Sequence, residues 1–178
     1  QTSHSVASCN LIPYEKLKEM IDMEALARHR AAALDPAHPT QRGTIVTRGD
    51  WMQMFEATNP LYSRDVPAAV DRALADIERL TGRKYGTFDY AGAPDADRVV
   101  VAMGTGGLNV EDAVDEMVAE GQKVGVVRVR LFRPWSSERF LSRLPKTVRR
   151  IAVLDRTKEP GANGEPLFLD VLASVAES

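Results

Sequence analysis

Two stretches of this chain concentrate residue types that can do chemistry. Asp155-Arg156-Thr157-Lys158-Glu159 is charged at every position but one, and Pro160-Gly161 and Asn163-Gly164 break the backbone behind it. Gly104-Thr105-Gly106-Gly107 follows an apolar run and precedes a helical pattern. Glycines at such a turn let backbone amides approach a phosphate, and the start of a helix favours its charge. The spacing departs from G-x-G-x-x-G, because Asn109 holds the third glycine position, and no Lys-Ser/Thr of a P-loop follows. A tight helix–sheet turn explains the same residues. A third group, Thr2-Ser3-His4, has the polarity to orient a substrate or anion, or to be a solvated terminus.

Catalysis needs more than these groups. No Ser-His-Asp constellation, thiolate pair or metal-ligand cluster is apparent, so no residue is assigned a catalytic or metal-binding role. The single cysteine, Cys9, excludes an internal disulfide and any multi-cysteine metal or iron–sulfur site within the chain. His29 and His38 lack the neighbours of a metal site and read as surface residues. A net charge of −2 advertises neither nucleic acid nor an anionic membrane. No apolar run reaches the roughly 20 residues of a membrane span, and the first ten residues do not form a signal peptide. A cytoplasmic location is the default expectation. The chain starts at Gln1 rather than Met, which points to a fragment or a processed chain.

The elements that must position these stretches fall into two regimes. Residues 13–34 read as one helix, with Leu17, Met20, Ile21, Ala25 and Leu26 toward one face and Asp35-Pro36 ending it. A connector over 35–49 leads to Trp51, Met52, Met54 and Phe55, read as packing residues, and Asn59-Pro60 marks a turn. Residues 65–81 form the clearest helix, with Asp65 as cap, Pro67 in its first turn and Gly82 at its end. Residues 83–97 read as a linker and place a domain boundary after Asp97. Beyond it the rhythm is β-α-β-α-β-α. Strands are expected at 99–103, at 123–132 with Arg128 and Arg130 alternating with valines, and at 151–154, buried on both faces. Helices follow Asn109, Ser136 and Glu165. The fold class is therefore α/β, a parallel sheet with crossover helices (98–178) preceded by a mainly helical segment (1–97). In such sheets, loops at the carboxyl ends of strands carry the sites.

Several runs together resemble a known family. RVVVAMGTG at 98–106, GVVRVRLFRPWS at 125–136 and, most specifically, LDRTKEPG at 154–161 within 151–171 are similar to pyruvate:ferredoxin (flavodoxin) oxidoreductase. TSH at 2–4, NPLY at 59–62 and FDYAGAPDADRV at 88–99 continue the resemblance, which thus covers nearly the whole chain. It implies the end of a pyrimidine-binding domain I followed by a domain II similar to the C-terminal domain of transketolase. The family decarboxylates pyruvate on thiamine diphosphate with Mg²⁺, passes electrons through 4Fe–4S clusters to ferredoxin or flavodoxin, and forms acetyl-CoA. None of those cofactors is expected in this chain, which lacks a G-D-G motif and cluster cysteines. The implied partners are the remaining domains of a parent enzyme, itself expected to be a homodimer using pyruvate, CoA and ferredoxin or flavodoxin. Nucleic acid and membrane are not among them. Ser5 stands where the family has an acidic residue, and MGTGGLN replaces its MGSGAET. The candidates for cofactor contact are Thr2, Ser3, His4, Gly104, Thr105 and Gly106. Asp155, Arg156, Lys158 and Glu159 are expected at a domain interface, and the sheet is expected to be incomplete at its C-terminal edge. The alternatives are a stand-alone interaction module and a transketolase-like subunit of a split 2-oxoacid oxidoreductase.

Overall fold

The computed structural model describes residues 10–39 and 50–178. Thr2, Ser3, His4, Cys9 and most of the 35–49 connector lie outside the described residues. Two short helices come first, α1 (Tyr14–Lys18) and α2 (Met23–Ala31). The single helix expected over 13–34 is thus broken at residues 19–22. The cause is local: the Asp22 carboxylate accepts from the Ala25 amide at 2.8 Å and caps α2, competing with a continuous helix. Neither helix buries a residue.

Helix α3 (Asp50–Thr81) is longer than expected and runs through both Pro60 and Pro67. The expected turn at Asn59-Pro60 is absent, and Asp65 pairs with Arg64 at 2.6 Å in mid-helix instead of capping. The two prolines are seven positions apart, so their rings fall on one side of the helix, two turns apart. The amide bonds they forgo therefore lie on one side and the remaining ladder is intact. Trp51, Met52, Met54 and Phe55 are exposed, which corrects the expectation that they pack inside this chain. Trp51 and Phe55 make an edge contact with each other, with ring centroids 5.9 Å apart.

The rest of the chain builds one sheet. Strand β1 (Phe88–Gly92) lies inside the stretch read as a linker. Strands β2 (Arg98–Met103), β3 (Val124–Val129) and β4 (Arg150–Leu154) follow, interleaved with α4 (Gly104–Ala119) and α5 (Ser137–Leu141). Helix α6 (Pro166–Ala176) closes the order. The strand order is β1-β3-β2-β4: β2 pairs in parallel with β3 and β4, while β1 runs antiparallel to β3. The sheet is mixed, because the supposed linker contributes an edge strand. Strand alternation sorts the core onto two faces. Val124 and Val126 meet Val114 of α4 on one face. Val99, Val101, Val127 and Val129 meet Phe140, Leu167 and Val171 of α5 and α6 on the other.

Local chemistry accounts for the helix ends. Gln122 donates to Met117 O and Gly121 to Val118 O, the hydrogen-bond pair of a Schellman end to α4. Ser136 caps α5 as expected, accepting from the Arg139 amide at 3.4 Å. Trp135 Nε1 donates to the buried Ser174 Oγ at 2.8 Å and ties the segment before α5 to α6. The ring of Trp135 also meets Phe88 and Phe140, with centroids 5.1 and 5.2 Å away.

Strand β4 departs from expectation. Its residues were to be buried on both faces, yet burial alternates and Leu154 is 53% exposed. It is an edge strand, covered by α6 on one face only, while α4 sits over β1, β2 and β3.

Candidate functional site at the carboxyl ends of β2 and β4

The two sequence candidates meet at one end of the sheet. Ala102 is the register partner of Leu154 on parallel strands, so Gly104 and Asp155 leave neighbouring strands in the same direction. The chain then diverges, through α4 on one face of the sheet and α6 on the other. Such a divergence between adjacent parallel strands is a topological switch point, where open α/β sheets form their crevice.

The glycine stretch is a tight turn that runs straight into a helix, with Gly104 in the left-handed region at φ +61. Helix α4 starts at Gly104, its N-cap Met103 offers no side-chain hydrogen bond, and Asn109 lies inside the helix rather than capping it. Gly107 lies close to β3: a Cβ there would come within 3.2 Å of Arg128 Cγ. A Cβ on Gly106 would meet nothing within 4 Å. Gly107 is thus closely packed, and a Cβ there would oblige the Arg128 side chain to give by a few tenths of an ångström; the first turn places no acidic side chain at this end of the sheet.

The charged loop is ordered by its own contacts. Asp155 accepts from the Thr157 amide at 2.9 Å and from the Leu167 amide at 3.0 Å, so it supplies the start of α6 with the cap that Glu165 does not give. Lys158 Nζ lies 2.6 Å from Glu165 Oε1 and spans the loop. The Ala162 amide donates to Glu159 O at 3.1 Å within the Pro-Gly turn. Arg156, Lys158 and Glu159 are exposed. Burial acts to raise the Asp155 pKa, but the amide hydrogen bonds from Thr157 and Leu167 outweigh it, and the net shift is downward from 3.8. The Glu165 carboxyl is likewise held low, chiefly by the Lys158 hydrogen bond.

A pH-dependent stability follows from Asp155. A carboxylate with a depressed folded pKa contributes fully above its unfolded pKa, and the contribution is lost as pH falls through the folded value. Asp155→Ala is expected to cost about 1 kcal/mol near neutrality, the scale of a lost helix cap. The gap to wild type closes as pH drops below 3.8, the ordinary value for the group. Urea midpoints measured at neutral and strongly acidic pH check both the size and the direction.

One charged network escaped the sequence reading. Arg128 on β3 reaches Glu111 of α4 at 2.7 Å and Asp89 of β1 at 3.8 Å, and Arg130 reaches Asp89 at 2.6 Å. Arg130 also lies over the Tyr85 ring, 4.5 Å from its centroid. The alternation of Arg128 and Arg130 with valines was visible, but the two acids sit far away in sequence, one of them in the supposed linker. These charges join β1, β3 and α4 into one unit. They do not converge with a nucleophile.

An iron–sulfur cluster is held by several thiolates, and this chain has one cysteine. Among the described residues, no group of three His, Cys, Asp or Glu side chains is placed to hold a metal ion. No helix among them is long and apolar enough to cross a membrane.

The class defined by this architecture is an α/β domain with a mostly parallel sheet, a topological switch point and a helical lead. Residues 96–178 match the family described as pyruvate:ferredoxin oxidoreductase core domain II. The whole chain finds relatives. It is 49% identical, over 99% of its length, to pyruvate:ferredoxin oxidoreductase of Moorella thermoacetica. It is 49% identical over its full length to pyruvate-flavodoxin oxidoreductase of Rhodospirillum rubrum. It is 43% identical, again over its full length, to pyruvate dehydrogenase (NADP+) of Cryptosporidium parvum. The chain spans about 15% of the length of the first two relatives and 9% of the third.

Proposed function

We propose that this chain is an architectural segment of a pyruvate:ferredoxin or pyruvate:flavodoxin oxidoreductase. The enzyme would oxidatively decarboxylate pyruvate to acetyl-CoA and deliver electrons to ferredoxin or flavodoxin. Thiamine diphosphate, Mg²⁺ and 4Fe–4S clusters would be held by other parts of that enzyme, a cytoplasmic homodimer. The observation that carries this reading is the identity of nearly half across essentially the whole chain to enzymes of that name. The geometry supports the architectural role, because the loop at the switch point is fastened to itself through Lys158–Glu165 and Asp155–Leu167.

In this reading the switch-point loop meets a neighbouring domain, with Lys158 and Glu159 as its outward contacts and Arg156 beside them. Asp155 keeps the loop in shape from within. In this reading β1 is counted with the sheet and the helical lead ends with α3, while the match to domain II itself begins at residue 96. The open edge of β4, with the apolar groove formed by Ile151, Val153, Phe168 and Leu172, is where the sheet of the parent enzyme continues. The electron acceptor is set elsewhere, since relatives named for ferredoxin, flavodoxin and NADP+ all share this segment.

The test is direct. Purified chain supplied with pyruvate, CoA, thiamine diphosphate, Mg²⁺ and a low-potential acceptor is expected to give no acetyl-CoA above the protein-free rate. Turnover by the chain alone would overturn the architectural reading.

A further inference from the structure

A cleft of about 320 Å³ separates residues 10–16 from the carboxyl end of α3 and the loop that follows it. Its volume falls within the range of small-molecule sites, roughly 300–1,000 Å³. Ile12, Pro13, Ile77 and Leu80 supply apolar wall, and Lys16 and Arg83 stand at its margin. An ion pair beside the cleft, Arg79 to Glu19 at 3.0 Å, holds the lead segment to α3.

The charged lining of the cleft is one-sided, Lys16 and Arg83, and its neutral polar residues are Asn10, Thr81 and Tyr85. Thr81 Oγ1 donates to Ile77 O at 2.7 Å and accepts from the Arg83 amide at 3.2 Å, so its hydrogen-bonding capacity is largely used. The face of Tyr85 is taken by Arg130. Neither Lys16 nor Arg83 has a carboxylate within ion-pair distance among the described residues, and no acidic side chain lines the cleft. Two cations without acidic partners beside an apolar wall fit a ligand with an apolar body and one anionic end.

We infer that this cleft binds a small amphipathic anion, of the class of medium-chain carboxylates. The hydrocarbon lies against Ile12, Pro13, Ile77 and Leu80, and the carboxylate reaches Lys16 and Arg83, where charge-assisted hydrogen bonds are the stronger kind. The inference is independent of the enzyme reading, because the cleft lies outside the matched domain and apart from the switch-point crevice.

Octanoate is the probe, titrated into the isotope-labelled full chain below its critical micelle concentration and followed by amide chemical shifts. Saturable shifts are expected around residues 11–16 and 77–85, with a dissociation constant of about a millimolar, the scale set by a ligand of this size. Lys16→Ala and Arg83→Ala should each weaken binding about tenfold, and octan-1-ol should bind about tenfold more weakly than octanoate. Arg83→Lys should retain most of the affinity. No saturable shift, shifts centred elsewhere, or equal binding of octanol and octanoate would each overturn the inference. So would alanine variants that bind as wild type does. All three substitutions replace exposed residues, so spectra without ligand report directly that the fold is retained.

Discussion

Gly92→Ala is expected to destabilise the sheet domain by roughly 2–6 kcal/mol, summing backbone strain of about 1–3 and overpacking of about 1–3 kcal/mol. Gly92 ends β1 with φ +118, a conformation L side chains rarely adopt. A Cβ there would also lie 2.6 Å from Gly125 Cα and 2.6 Å from Val124 O. Both are backbone atoms of β3, the strand paired with β1, so neither can yield without distorting the ladder. Gly82 separates the two contributions. It too has positive φ, +72, but its Cβ would meet nothing within 4 Å. Gly82→Ala should therefore cost only the conformational part, roughly 1–2 kcal/mol. Urea unfolding of the two variants side by side checks the difference. Equal losses would mean that β1 does not press on β3 as described.

Phe140→Ala is expected to cost about 3–5 kcal/mol, the usual range for removing a buried aromatic ring. The ring is 0% exposed on the only full turn of α5. It lies 5.9 Å from the centroid of Phe88 and 5.2 Å from that of Trp135. These rings join β1, the segment before α5 and α6 through the Trp135–Ser174 hydrogen bond. A helix of five residues cannot hold itself by backbone bonds alone, so its position depends on this contact. The near-UV signal of Trp135 should weaken in parallel with the unfolding midpoint. A loss below about 1 kcal/mol, well under the cavity cost, would show that α5 is held by something else.

The legibility of the fold divides along physical lines. The β2-α4-β3-α5-β4-α6 order could be read because its apolar runs and caps are local: Ser136 before α5 and the glycine after α4 act within a few residues of themselves. Strand β1 is hidden because its five residues end in Gly92 and lie between Gly86 and Pro94, a turn signature, and the pairing of Phe88 with Val129 makes them a strand. The edge position of β4 was hidden for a related reason. Ile151 to Leu154 are apolar throughout, and nothing in them says which strand lies beyond. Helix α3 ran through two prolines because their rings share one side, a relation that single-position proline signals ignore.

The site was legible in its parts and not in its assembly. The charged loop and the glycine stretch were both visible, and their parallel strands were expected. Their adjacency depends on β4 lying beside β2, which is a register fact. The role of Asp155 was obscured for the same reason. Its carboxylate reaches the Leu167 amide, twelve positions away, so a residue that reads as an outward charge works as an internal cap. That leaves Lys158 and Glu159 to face outward, and Lys158 does so while anchored to Glu165.

The claim that this segment holds domains together is tested most directly at those two residues. Lys158→Ala and Glu159→Ala are introduced together into a full-length oxidoreductase polypeptide containing this segment. Cohesion of the domains is followed by thermal unfolding and limited proteolysis, and the pyruvate-dependent step at thiamine diphosphate is timed in a single turnover. The predicted result is a lower unfolding temperature and faster cleavage between domains, with the chemical step essentially unchanged. Intact assembly together with a lost chemical step would contradict the account and place the loop in the catalytic machinery.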